Sequence, residues 1–367
     1  MPEISVIIPV RNSASTLTRC LESVISQTYS DWEALCVYDD SDDNSLAIIK
    51  EYCEKDSRFV LVRGRGVNLS CARNDGMKSA SGKYILFLDS DDAFLPNAFL
   101  RVKAEFEKRG CDIIVFGTKL EPNNPRVDCR LQLSMSTPNK FYRSFSAKAL
   151  FGEPSARPFV WRNAFRREFI EKNSLYFDEG CKVGEDHVFQ LCAFPFAENG
   201  ILFIKESLYR YTWSRKGSLM DTYNRNSVFK LKGHIKMVDS VFLYWEKREF
   251  SRISKKDISV WALYFLTEEI PYLPNEKLCA LSGDLDELFH AHIDDRTLRS
   301  LPRVTRKKAL KLQSHRTYTK NRFIIFSGQM WWCWHFGGAG IAMRLLFART
   351  RRCIENRTAF LEGACQK

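Results

Sequence analysis

The 367-residue sequence has no CxxC pair, and its 12 cysteines come no closer than the 11 residues between Cys181 and Cys192. With only six histidines as well, no Cys–His ligand cluster of the zinc type exists. Scattered cysteines inside apolar runs, such as Cys36 in "EALCVY" and Cys192 in "FQLCAF", read as reduced thiols packed like small hydrophobes in a cytoplasmic protein. No G-x-G-x-x-G or G-x-x-x-x-G-K-[S/T] occurs at a strand–helix junction, which excludes a Rossmann dinucleotide site and a P-loop. The nearest glycine-rich stretch, "RGRGVNLS", has the wrong spacing. A G-x-S-x-G nucleophile elbow is also absent. The opening "MPEISVIIPV" has no basic n-region, so no signal peptide is expected.

What is present is a composition able to bury a large core, 45% hydrophobic with 13% aromatics, enough for one large domain plus an appendage or for two domains. The formal charge of +12 is unevenly placed. From Arg299 to Lys367 there are 15 Lys and Arg against Glu355 and Glu362, a net of +13, and the rest of the chain is at −1. The protein is not basic; its tail is.

The first 116 residues alternate strands and helices. "ISVIIPV" is a short β-branched run of the kind buried on both faces of a parallel sheet. The next segment places Leu17, Leu21, Val24 and Ile25 on one helical stripe, with Ser13 or Ser15 as N-cap. "WEALCVY", "RFVLVRG", "KYILFLD" and "CDIIVFG" read as further strands. Helices are expected at Ser45–Glu54, Cys71–Ser81 and Asn97–Arg109. This order predicts an α/β fold with a doubly wound, mostly parallel sheet flanked by helices. Ligands of such sheets bind at the carboxyl ends of the strands.

Those ends carry Pro9-Val10-Arg11-Asn12, Asp39-Asp40-Ser41-Asp42-Asp43 and Asp89-Ser90-Asp91-Asp92. Carboxylates at this density repel one another unless a cation or a donor-rich ligand joins them. Asp89-x-Asp91 suits Mg²⁺ or Mn²⁺, which take hard oxygen ligands and keep positions open for phosphate and water. An isolated Asp-x-Asp is ordinarily a solvated turn. The matching cluster at Asp39 is what favours a site.

The ordered segments "ISVIIPVRNSASTLTRCLESVISQTYSDWEALCVYDDSDDNS", "NLSCARNDGMKSASGKYILFLDSDDAFLPNAF" and "FDEGCKVGEDHVF" resemble the family 2 glycosyltransferases, inverting enzymes of the GT-A fold, across roughly residues 3–220. The resemblance implies a nucleotide-diphosphate sugar donor, with a UDP-sugar favoured. The acceptor is a hydroxyl of a lipid-linked or cell-surface glycan. Pro9, Arg11 and Asn12 match the loop beside base and ribose, and Asp39 the carboxylate that binds the base. Here Tyr38 and Asp40 depart from the usual "DDGSTD". Arg73 and Asn74 match the "ARN" segment beside nucleotide and sugar. Asp89 and Ser90 would touch ribose or donor sugar, and Asp91, with Asp89, the metal, Mn²⁺ or Mg²⁺. Asp92 either supports that turn from behind or begins the next helix.

Glu185 and Asp186 match the family's "ED" motif, in which the Asp is the general base. Such a base takes the acceptor hydroxyl's proton as the nucleotide diphosphate departs from the opposite face. Its position at a helix N-terminus should lower the pKa of Asp186. His187 is a competing base or a supporting hydrogen-bond partner. "YRYTWSRKGSL" resembles the segment that folds over the diphosphate, with Arg210, Arg215, Lys216 and Ser218 as phosphate contacts or as an exposed basic turn. Trp161 and Arg162 match the acceptor side, where Trp161 is either a stacking platform or a core residue. Residues 120–158 read as a variable acceptor loop.

After residue 220 the periodicity of "VFKLKGHIKMVDSVFLYW" and "ISVWALYFLTEEIPYL" predicts a helical extension to 298. A basic, Trp-rich tail follows from 299 to 367. Its stretch Phe323–Met343 spans 21 positions without an Asp, Glu, Lys or Arg, long enough to span a membrane. Gly337, Gly338 and Gly340 interrupt it, and tryptophans at 331, 332 and 334 prefer an interface. The expectation is two interfacial amphipathic helices on an anionic membrane surface, on the inner face of the cell membrane. Alternatives are a helical subdomain packed on the core, or an oligomer interface. Two other functions compete. A nucleotidyltransferase of sugar phosphates would carry a glycine-rich basic loop that "PVRNSAST" lacks. A nucleic-acid binder using the tail leaves the acidic strand ends unexplained, so no nucleic acid is expected.

Overall fold

The computed structural model describes residues 1–122, 131, 134–153, 159–213, 226–269, 281–303 and 306. Its first half follows the expected alternation: β1 (Ile4–Val10), α1 (Ala14–Ile25), β2 (Trp32–Tyr38), α2 (Ser45–Lys55), β3 (Phe59–Arg63), α3 (Leu69–Ser79) and β4 (Tyr84–Phe87). Then come the short β5 (Ala93–Phe94), α4 (Ala98–Arg109), β6 (Ile113–Glu121), β7 (Lys140–Tyr142), β8 (Asn163–Arg166) and α5 (Arg167–Lys172). Finally α6 (Glu185–Ala193), β9 (Ile201–Thr212), α7 (Ser227–Lys247), α8 (Ser251–Glu269), α9 (Ser282–His292) and α10 (Asp295–Ser300) complete the described chain. The nine-stranded sheet runs β3-β2-β1-β4-β8-β6-β9-β5, with β7 also on β9.

The sheet is parallel from β3 to β4. β8 is then inserted antiparallel between β4 and β6, and β9 returns parallel to β6. The doubly wound half is thus the one legible from strand–helix alternation. β5, β7, β8 and β9 have no counterpart in that reading. Pro9 is tolerated in a central strand because β4 pairs β1 only as far as Ile7, so no ladder donor is lost on that side.

Side-chain alternation along β1 divides the core. Ile4, Val6, Ile8 and Val10 face one layer with Leu17, Cys20, Leu21 and Val24 of α1 and Phe99, Val102 and Phe106 of α4. Ile7 faces the other layer with Ala72 and Met77 of α3. The α1 stripe forms as expected, but its cap differs. Ser13 makes no capping bond through its side chain, and Asp43 Oδ2 accepts the Ala14 N–H instead (2.8 Å). The third helix starts two residues earlier than expected, capped by Asn68 Oδ1 on the Cys71 N–H (3.0 Å).

The helical extension shares this second layer. Leu231, Val238, Val241 and Trp245 of α7, Leu263 of α8 and Leu285 of α9 lie in one cluster with Ile7, Val37 and Phe87. α7 lies across α6, where the fully buried Trp245 donates from Nε1 to Leu191 O (2.9 Å). The described cysteines carry no disulfide, and no helix among the described residues is long and apolar enough to cross a membrane. The tail beyond Arg306 lies outside the described residues.

Because Trp245 seals α7 onto α6, Trp245→Ala is expected to destabilise the protein by about 3–5 kcal/mol. Urea unfolding followed by intrinsic fluorescence and circular dichroism measures this.

Candidate active site

The loop after β1 is locked to the loop after β2. Asn12 adopts a left-handed backbone (φ 48°). Its N–H donates to Ser41 Oγ (3.0 Å), and its Oδ1 accepts from the Asp42 N–H (2.9 Å). Ser13 N–H donates to Ser45 Oγ (2.9 Å), and Ser13 Oγ lies 2.7 Å from Ser90 Oγ. Three strand ends therefore meet. Pro9 is buried at the base of this loop, and Arg11 is exposed at its rim.

Asp39 is buried, with its Oδ1 accepting from the Gly66 N–H (2.9 Å). Burial raises its pKa above the usual carboxylate value, against the pull of that amide and of Arg11. A Cβ at position 64 would lie 2.2 Å from Asp39 Oδ1, so a larger residue there would push this carboxylate aside.

The Asp89–Asp92 turn divides its carboxylates among three tasks. Asp89 Oδ1 accepts from Arg73 Nη2 (3.0 Å). Asp92, only 1% exposed, accepts from Tyr209 Oη (2.8 Å) and from the Thr212 N–H (2.7 Å). Tyr209 Oη in turn accepts from the Asp89 N–H (3.2 Å). Arg19 Nη2 and Thr212 Oγ1 both donate to the carbonyl of Asp91 (2.5 and 2.7 Å). The backbone of the turn is thereby fixed, and Asp91 is left half-buried at its apex. Burial first, then the charges of Asp89 and Asp91, pushes Asp92 well above the usual carboxylate range. Asp92 is thus the support behind the turn, the first of the two expected roles.

This excess of negative charge fits a divalent cation. Among the described residues no group of three or more His, Cys, Asp or Glu side chains converges to hold a metal. Asp92 is spent on β9 and one Asp89 oxygen on Arg73, so Asp91 and Asp89 offer few hard oxygens. That is the donor set of an ion shared with phosphate rather than of an all-protein cage.

Opposite this turn, Gly184 (φ 82°) bends the chain into α6, and positive φ explains the glycine. The first helical residues are Glu185 and Asp186. Asp186 Oδ1 accepts from Arg73 Nη1 (2.6 Å), which also donates to Glu185 Oε1 (3.1 Å). Asp186 Oδ2 accepts from the Val160 N–H (3.2 Å). Its side chain is 15% exposed. The expected lowering of its pKa by the helix terminus is overturned. Burial, with Glu185 and Asp89 adding repulsion, raises it to about 7 against the pull of Arg73.

Other candidates fall elsewhere. Asn74 gives its amide to Phe177 O (2.9 Å) and Glu179 Oε1 (3.0 Å) and accepts from the Phe177 N–H (2.9 Å). Its side chain therefore ties α3 to the segment before α6 rather than facing a ligand. Trp161 is 3% exposed, stacked on Tyr209 (4.6 Å) and Tyr211 (5.0 Å). It is the core residue of its two expected roles, with no open face for a sugar. Arg162 is fully buried and donates to Ser134 O. Burial pushes its pKa down to about 9, and with no surface exposure it is not an acceptor contact. The His187 ring lies 5.0 Å from Phe265 of α8. Arg215, Lys216 and Ser218 lie outside the described residues. Tyr209, Thr212 and Arg19, which the motifs do not single out, prove to hold the acidic turn. The only sequence signal was the position of Tyr209 at the head of "YRYT".

Acidic strand ends on a sheet of this topology, facing a carboxylate pair on a helix N-terminus, are the layout of a GT-A-type fold. Residues 5–173 match the family described as Glycosyl transferase family 2, and the domain built on them belongs to that family. The chain is 33% identical over 211 residues to the uncharacterized glycosyltransferase EpsJ of Bacillus subtilis, covering 58% of this chain and 61% of that one. It is 33% identical over 223 residues to the poly(ribitol-phosphate) beta-glucosyltransferase of Bacillus spizizenii, covering 59% and 33%. These matches thus span less than two thirds of the relatives' lengths. In structure it resembles S. aureus TarS 1-349 solved with UDP-GlcNAc, with a TM-score of 0.66, 17% identity, and coverage of 90% and 91%. At that identity the likeness is one of fold.

Tyr209→Phe removes the hydroxyl that joins Asp92 to the Asp89 backbone and leaves a buried carboxylate short of a donor. It is expected to cost about 1–3 kcal/mol, read as a lowered denaturation midpoint.

Proposed function

We propose that the protein is an inverting glycosyltransferase that moves a sugar from a nucleotide diphosphate to a hydroxyl of a lipid-linked or cell-surface glycan. The observation that carries this reading is the approach of a half-buried carboxylate, Asp186, to the acidic strand-end turn, with one guanidinium between them. One half of the site suits a phosphorylated donor, and the other suits a proton acceptor.

In this mechanism the acceptor oxygen attacks the anomeric carbon while its proton passes to Asp186. The bond from that carbon to the phosphate oxygen breaks, and the nucleotide diphosphate leaves on the opposite face, inverting the centre. Arg73 and the Val160 N–H hold Asp186, and Glu185 shares the same guanidinium. Asp39, one oxygen held by Gly66, has the other for a base N–H, as a uracil offers, which supports a UDP-sugar. Arg11, Ser90 and the loop of Asn12 line the donor side. Asp91 and Asp89 would hold Mn²⁺ or Mg²⁺, which when bound neutralises charge on the departing diphosphate. The name of the Bacillus spizizenii relative supports a polyol-phosphate or related cell-surface polymer as acceptor. The +13 tail supports peripheral attachment at the inner face of the cell membrane.

Asp91→Asn and Asp186→Asn are each expected to abolish transfer without unfolding, read as nucleoside diphosphate release in a donor screen run with and without Mn²⁺. Substantial activity in either variant removes its assigned role. A base works deprotonated, and Asp186 is raised to about 7. The wild-type kcat should therefore climb as pH rises through about 7, and a profile flat from pH 5 to 8, on the order of a 1000-fold range in proton concentration, opposes the assignment. A chain ending at Arg306 should no longer sediment with anionic phosphatidylserine vesicles. Unchanged sedimentation would refute the membrane role of the tail.

A further inference from the structure

The Arg73 guanidinium is 1% exposed and has two separate clients. Nη2 donates to Asp89 on the donor side, and Nη1 donates to Glu185 and Asp186 on the acceptor side. Its carbon sits 5.2 Å from the Phe177 ring centroid. Phe177 is itself held by two hydrogen bonds of Asn74, the next residue on α3. A group this enclosed and this committed has little surface left with which to grip a donor. Among the described residues, Arg73 donates to one oxygen of Asp186 and the Val160 N–H to the other, and these two contacts set the plane of the carboxylate.

We propose that Arg73 is a positioning residue that orients the Asp186 carboxylate toward the acceptor hydroxyl and ties that orientation to Asp89, rather than a donor-binding residue. The inference rests on the reading of Asp186 as the base. Its physical content is geometric. A planar fork reaches carboxylates on both sides at once, whereas the single ammonium of a lysine is one point charge and cannot hold both. Lysine keeps the positive charge and much of the stem, so the fold should survive while the orientation is lost.

The test is Arg73→Lys in the full chain, with donor binding and turnover measured separately. Expected for this variant is a fall in kcat of about 100-fold, the effect of misplacing a reacting group by roughly 1 Å. Affinity for UDP by isothermal titration calorimetry, and the donor KM, should stay within about threefold of wild type. In Arg73→Gln the acid limb of the kcat profile should move to higher pH, because Arg73 is the group that pulls Asp186 down against burial, Glu185 and Asp89. Thermal melting of both variants checks the fold, and if the glutamine variant does not fold the lysine variant decides alone. A wild-type kcat in Arg73→Lys overturns the proposal. So does a loss confined to UDP affinity and donor KM, which would make Arg73 a donor ligand. Asp186→Asn, run alongside, separates the two ideas. If that variant is active, the base assignment itself falls. If it is inactive while Arg73→Lys turns over normally, only the positioning role does.

Discussion

A positive charge with almost no access to water is the constraint around which this site is arranged. Removing a guanidinium from solvent is costly unless carboxylates and hydrogen bonds replace its hydration. Arg73 finds three, from the end of β4 and from the first turn of α6. Their charges raise its pKa in spite of burial. The two halves of the site are therefore not independently movable. α3 presents the arginine, β4 delivers Asp89, and α6 delivers Glu185 and Asp186. α6 in turn is held from behind by α7, through Trp245 on Leu191 and Met237 against Gly184. The helical extension thus packs behind the helix that begins with Glu185 and Asp186.

The acidic turn shows how one motif accommodates repulsion. Four residues carry three carboxyl groups, and proximity would drive them apart if all were equivalent. They are not. Asp92 is drawn inward to Tyr209 and Thr212, Asp89 is shared with Arg73, and Asp91 stays at the apex with its carbonyl pinned by Arg19 and Thr212. A backbone fixed in this way holds the apex of the turn in one place. The same logic explains Asp186. A helix N-terminus lowers a carboxyl pKa, but here burial and two neighbouring acids outweigh it.

The fold was legible as far as local periodicity reaches. β1, β2, β3 and β4 alternate with amphipathic helices, and the nearly unbroken apolar run of β1 announces a strand covered on both faces. β9 was missed because its twelve residues mix buried and exposed positions without regular alternation, and a register shift interrupts its pairing with β6. β5 and β7 exist only because β9 is there to pair them. Within the site, Asp89, Glu185 and Asp186 meet around Arg73, whereas Asn74, Trp161 and Arg162 lie buried in packing contacts that no motif specifies. Amide, indole and guanidinium groups bind ligands and pack cores equally well, and only burial tells the two apart.

The sequence by itself determined that acids would gather at the carboxyl ends of parallel strands, because both the strand pattern and the turn residues are local. It determined also that a carboxylate pair would open a helix, with a glycine before it. The tertiary structure decided which carboxyl does what. Arg73 meets Asp186 across 113 positions, and Tyr209 meets Asp92 across 117. Desolvation and hydrogen bonding, which set each group's charge and orientation, are properties of such distant neighbours. No window along the chain contains both partners.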